Sequence, residues 1–91
     1  MKRKMKMKLQ VLSVYDAKSK AYSPPMTFVA LGTATRSFED EVNNPQSPYN
    51  KHPEDYTLFH LGEYDDNNAS FTPLETPYSL GVATVFKTSA S

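Results

Sequence analysis

Residues 56–64 (YTLFHLGEY) are apolar or aromatic on both alternating faces, and this limits the fold more than any other feature of the chain. Extended, the segment points Tyr56, Leu58 and His60 one way and Thr57, Phe59 and Leu61 the other. Residues 79–87 (SLGVATVFK) pose the same problem, with Leu80, Val82, Thr84 and Phe86 on one side and Ala83 and Val85 opposite. Such strands need cover on both faces. A chain of 91 residues forms one domain with a modest core. It has no cysteine, so neither a disulfide nor a thiolate metal site can supplement that core.

The remaining elements follow from local chemistry. Residues 8–15 (KLQVLSVY) read as a strand, and residues 16–20 as a hairpin loop. Ala21, Tyr22 and Ser23 resume extended structure until Pro24 and Pro25 remove two backbone donors, which makes an edge, a bulge or a bend. Residues 26–31 (MTFVAL) form a second apolar extended run. A helix is predicted over 33–43, with Thr33 capping its start and Ala34, Phe38 and Val42 on one stripe. Asn43, Asn44 and Pro45 end it. Residues 45–55 hold three prolines and no periodicity, an irregular connection. A turn at 65–68, a short strand at 69–74, a bend at Thr76-Pro77 and the final strand complete the chain.

The domain layout is a basic extension at 1–6, one domain at 7–87 and a disordered polar tail at 88–91. The fold class is α+β, a mainly antiparallel sheet of five strands with one short helix in the order β-β-α-β-β-β. One helix covers one face of the sheet. The second cover must be curvature into a barrel-like shape or a partner chain, and a homodimer is the expectation.

Charge is divided unevenly. Residues 1–38 carry eight basic side chains against Asp16 alone, whereas residues 39–91 carry Lys51 and Lys87 against nine acids. Such asymmetry points to a polyanionic partner at one end or to head-to-tail self-association. Met1, Met5 and Met7 are alternative starts, and beginning at Met7 removes Lys2, Arg3, Lys4 and Lys6. No run approaches the roughly 18 apolar residues of a membrane span, and no signal-peptide pattern follows the basic start, so the expected location is cytoplasmic.

Catalytic patterns are missing. His52 and His60 are eight residues apart, with no carboxylate spacing that completes a metal triad. The acidic turn lacks the spaced carboxylates, glycine and terminal glutamate of a calcium loop. The three glycines are isolated, so no phosphate-cradling loop exists. No enzyme, metal or cofactor is expected. What remains is basic residues interleaved with tyrosines: Lys8, Tyr15, Lys18, Lys20, Tyr22 and Arg36, then Tyr49 and Lys51, with Lys2, Arg3, Lys4 and Lys6 in the extension. Single-strand binding needs cations along the phosphates and aromatic faces beneath the bases.

Two segments, SVYDAKSKAYSPPM (13–26) and NNPQSPYNKHPEDYTLFHLGEYDDNNASFTPLETPYSLG (43–81), resemble the small non-structural protein of gokushoviruses, which are single-stranded-DNA phages of the Microviridae. The likeness runs from about Met7 to Lys87, and residues 1–6 extend beyond the family's usual start. The resemblance implies a non-structural, DNA-binding protein of genome replication or packaging in the host bacterial cytoplasm. It assigns no catalytic residue. Single-stranded DNA and a second copy are the expected partners. The alternative is a protein–protein adaptor that binds the replication initiator or the procapsid, a role suited to the acidic half.

Overall fold

Strand β1 (Lys8–Asp16) is the axis of the molecule, because every other strand except the last pairs with it. The computed structural model describes residues 8–88. Strand β4 (Tyr56–Asp65) lies antiparallel along the whole of β1, from Lys8 opposite Asp65 to Asp16 opposite Tyr56. Strand β5 (Ser70–Val82) continues beyond β4 as one free edge. The other edge is shared by β2 (Ala21–Tyr22) and β3 (Met26–Phe28), which pair with successive halves of β1. The result is the expected α+β fold, whose five-stranded antiparallel sheet curls into a half-barrel, the first of the two forms of cover that the two-faced strands left open.

Ser23, Pro24 and Pro25 separate β2 from β3, and the pairing register slips across them. The lost ladder is replaced by side chains. Ser23 Oγ accepts from the Val14 amide at 3.0 Å, and Ser13 Oγ donates to the Ser23 carbonyl at 2.7 Å. Of the edge, bulge or bend that the paired prolines left open, this one-residue slip on an edge is a bulge.

Helix α1 (Leu31–Val42) buries Ala34, Phe38 and Val42 against Leu12, Val14 and Leu58. It begins earlier than predicted, after Ala30, so Thr33 sits inside the first turn and caps nothing. It stops at Asn43 as predicted, where the side chain is a clasp. Asn43 Nδ2 donates to the Glu39 and Phe86 carbonyls, and Oδ1 accepts from both the amide and the hydroxyl of Thr88. Thr88, assigned to the tail, is therefore bonded to the helix end; residues 89–91 lie outside the described residues.

Two further predictions are corrected. The proline-rich connection contains a helical turn α2 (Pro48–Lys51), capped by Ser47 Oγ accepting from the Tyr49 amide, and a 3-10 turn Pro53–Asp55. Proline at the first position of each turn removes a donor that has no partner there anyway. The strands expected at 69–74 and 79–87 are one strand, β5. Its residues 74–77 bulge out opposite Leu61, because the register steps from Pro73 to Tyr78 while β4 advances from Gly62 to His60. After Val82 the chain turns into α3 (Ala83–Phe86), which buries Ala83 and sets Phe86 edge-on to Phe38 at 5.4 Å. The order is thus three strands, α1, α2 and the 3-10 turn, two strands and α3, rather than two strands on one side of a lone helix and three on the other.

Candidate nucleic-acid interface

Strand alternation sorts the side chains of β1 into two sets. Leu12 and Val14 face α1, so Val11, Ser13 and Tyr15 face away from it. Phe59 pairs with Ser13, and Tyr22 with Tyr15, which brings all three rings to that second face. Tyr15 and Tyr22 lie with ring centroids 4.8 Å apart, and Tyr22 meets Phe59 edge-on at 5.6 Å. Tyr22 remains 49 % exposed. No described helix covers these rings, which makes them an aromatic platform contributed by three strands.

The turn next to this platform carries Lys18 and Lys20, both exposed. Asp16 shapes the turn: its Oδ1 accepts from the Lys18 amide at 2.9 Å, and its carbonyl accepts from the Lys20 amide at 2.7 Å. Lys20 adopts the left-handed conformation, φ 59°. The turn after β4 has the same form, with Asp65 Oδ1 accepting from the Asn67 amide and Ala69 at φ 61°. One end of the sheet thus carries Lys18 and Lys20 together with Asp16 and Asp55, and the other carries Lys8 together with Asp65 and Asp66.

Farther along the same face, Val11, Pro25, Thr27, Leu61, Tyr64 and Phe71 line a hollow of about 280 Å³. Its walls are almost wholly apolar, and Phe71 stands 48 % exposed at its rim. The ring of Phe71 packs over Gly62, where a Cβ would collide with the Thr72 carbonyl and lie 2.7 Å from Pro73 Cα.

The sequence-predicted site residues divide accordingly. Tyr15, Lys18, Lys20 and Tyr22 come together. Tyr49 shares a hollow of about 240 Å³ with Asp16, Ser19 and Tyr22, but its ring packs on Phe38 at 5.4 Å and on Tyr56 at 4.7 Å instead of on Tyr15 or Tyr22. Burial first, then the carboxylate of Glu41, the Tyr56 phenol and the carboxylate of Asp16, raises its pKa above the usual phenol value. Tyr56 is raised by burial and by Asp16 and Asp55. Asp16 and Asp55 also border the lysine turn, where they accept from the Lys18 and Ala17 amides. Lys51 ends α2, exposed, and Arg36 is exposed on α1. Lys8 lies at the opposite end of β1 from the lysine turn, beside Asp65. Lys2, Arg3, Lys4 and Lys6 lie outside the described residues.

Sequence reasoning missed Phe59, Leu61, Tyr64 and Phe71 as surface groups. The alternation of 56–64 already set Phe59 and Leu61 opposite Leu58, but assigning phenylalanines to the core hid the consequence. It also found no metal triad. The 3-10 turn folds Glu54 and Asp55 back towards His52, so that their ligand-type atoms lie within 4.8 Å of one another, the one such grouping among the described residues. Exposed groupings of this kind are common without an ion.

No described helix is long and apolar enough to cross a membrane. Neither a curated protein nor a solved structure matches this chain. A family model described as "Phage ORF5 protein" matches residues 9–86, a span that contains both halves of the open face. The chain belongs to the Phage ORF5 protein family.

Proposed function

We propose that this phage protein binds single-stranded DNA with little sequence preference and without enzymatic activity. It would do so during genome synthesis or packaging of a gokushovirus-type phage in the host cytoplasm. The observation that carries the reading is the platform of Tyr15, Tyr22 and Phe59 on a sheet face that no described helix covers, flanked by Lys18 and Lys20. Rings of this kind take unstacked bases regardless of sequence, at about 1–3 kcal/mol per base. Partly open five-stranded barrels are a recurrent scaffold for oligonucleotides on their strand faces.

Fluorescence anisotropy of labelled oligo-dT at two salt concentrations tests the reading. Affinity must fall with salt, and Lys18→Glu with Lys20→Glu must flatten the dependence of log affinity on log salt by about 0.7 for each phosphate that the variant no longer neutralises. Equal and negligible affinity at both salts removes it.

An adaptor role has one observation in its favour, the exposed run Glu39, Asp40 and Glu41 on α1, which suits a basic protein partner. Recovery of a viral protein from infected cells, undiminished by nuclease, would be its signature.

A further inference from the structure

We infer that the hollow at the β2 edge of the sheet takes one guanine base, held along its N1 and N2 edge by the Asp16 carboxylate. The inference rests on the single-strand reading and adds to it a preference at one nucleotide.

The hollow holds about 240 Å³, and Asp16, Ser19, Tyr22, Ser23, Tyr49 and Tyr56 make most of its wall. It is smaller than the roughly 300–1,000 Å³ of pockets for drug-sized molecules, which suits a single ring system. Two groups of rings bound it. Tyr22 belongs to the platform with Tyr15 and Phe59, whereas Tyr49 and Tyr56 pack on each other at 4.7 Å beside Phe38. Among the described residues no ring of the first group contacts a ring of the second, so the two stand apart across the hollow.

Strand β1 explains this placement. Asp16 alternates with Leu12 and Val14 onto the helix side, and Tyr56, opposite Asp16 in β4, shares that side. Tyr22 closes the hollow from β2, which is two residues long and ends the sheet. Aromatic rings on two sides of so small a space suit a planar base that has left its stack. A base in an unpaired strand does so at little cost.

The polar lining decides which base. Asp16 Oδ1 accepts from the Lys18 amide at 2.9 Å, and among the described residues Oδ2 accepts from none. Its charge acts on both phenols of the wall: the pKa of Tyr49 is raised by burial, Glu41, Tyr56 and then Asp16, and that of Tyr56 by burial, Asp16 and Asp55. A carboxylate only accepts, and each oxygen offers two lone pairs, so Oδ1 keeps one and Oδ2 both. Such a group fits a ring edge with two adjacent N–H donors. Guanine alone among the four DNA bases presents that edge. Adenine and cytosine set a ring acceptor beside their amino donor, and thymine flanks its one N–H with two carbonyls. A bidentate contact to a charged acceptor is among the stronger hydrogen-bonded pairs. Cations for the adjoining phosphates stand at the rim, where Ser19 lines the hollow between Lys18 and Lys20, both exposed.

Fluorescence anisotropy of labelled dT oligomers carrying one central dG, dA, dC or inosine tests the inference. The dG oligomer should bind at least about fivefold more tightly than dT alone, the lower limit for a bidentate base contact. Inosine lacks the 2-amino group and should lose most of that preference, with no change to the protein. Asp16→Asn keeps an oxygen for the Lys18 amide but replaces Oδ2 with a donor, so the turn persists while the preference for dG should fall below about twofold. Equal affinity for the dG and dT oligomers, or a dG preference that survives in Asp16→Asn, overturns the inference and leaves the single-strand reading standing. Negligible affinity for every oligomer removes that reading. The inference then stands only if dGMP, and not dAMP, dCMP or TMP, quenches tyrosine fluorescence in the wild type and fails to do so in Asp16→Asn, which assigns the hollow to a free guanine nucleotide; no such quenching overturns the inference too.

Discussion

Asn43 concentrates more tertiary bonding than any other side chain at the helix end. It accepts two hydrogen bonds from Thr88 and donates to the carbonyls of Glu39 and Phe86, so it joins α1 to the chain's last described residues. Asn43→Ala should lower unfolding free energy by about 1–3 kcal/mol, measured by urea denaturation. Ala69 makes the opposite case. It occupies the left-handed region at φ 61°, which costs an L-residue roughly 1–2 kcal/mol, against roughly 0.5–1 kcal/mol for the extra backbone freedom of glycine. Ala69→Gly should therefore stabilise by about 0.5–1 kcal/mol, visible as a higher Tm. Tyr49 adds a pH dependence. Its phenol pKa is raised in the folded state, first by burial and then by Glu41, Tyr56 and Asp16. The folded form thus holds that proton more tightly than the unfolded chain. The associated stability is fully present below the unfolded phenol value near 10 and is lost as pH rises through the raised value. Denaturant titrations above that pH should show Tyr49→Phe losing less stability than wild type. None of these three roles was legible in the sequence, because each depends on what a distant segment brings alongside.

At the level of elements, periodicity was informative wherever the chain stays regular. The stripe of Ala34, Phe38 and Val42 located α1 and its buried face, and Phe38→Ala should cost about 3–5 kcal/mol as a core deletion. The alternation of residues 56–61 sorted β4 onto two faces as observed, but the register shift between His60 and Gly62 then sets Tyr64 beside Leu61. It failed at irregularities. Thr76 and Pro77 looked like a break between strands, yet residues 74–77 are only a bulge in β5, since an edge strand tolerates proline. The Ala83–Phe86 turn has strand-like composition, and burial of Ala83 against the core overrides that preference. Gly62 lies beside the same bulge, where the Thr72 carbonyl and Pro73 Cα leave no space for a side chain. Gly62→Ala should destabilise by about 1–3 kcal/mol through forced displacement of β5, read by thermal unfolding.

For the whole molecule, the opening puzzle of strands apolar on two sides has a physical answer. One side is sealed by α1, α3 and the turn that carries Tyr49, and the sheet curls around them. The other side remains open, with an aromatic platform at the lysine end and an apolar hollow farther along. Composition alone could suggest that cations and tyrosines were available. Only the register between β1, β2 and β4 decides that Tyr15 and Tyr22 share a face with Phe59, while Tyr49 packs on Phe38 and Tyr56. The most direct test is photo-crosslinking of a bromodeoxyuridine-substituted oligo-dT, with adducts mapped by mass spectrometry. Adducts on Tyr15, Tyr22 or Phe59 are the predicted result; adducts confined to Tyr49 and Tyr56, or none at any salt concentration, would contradict it.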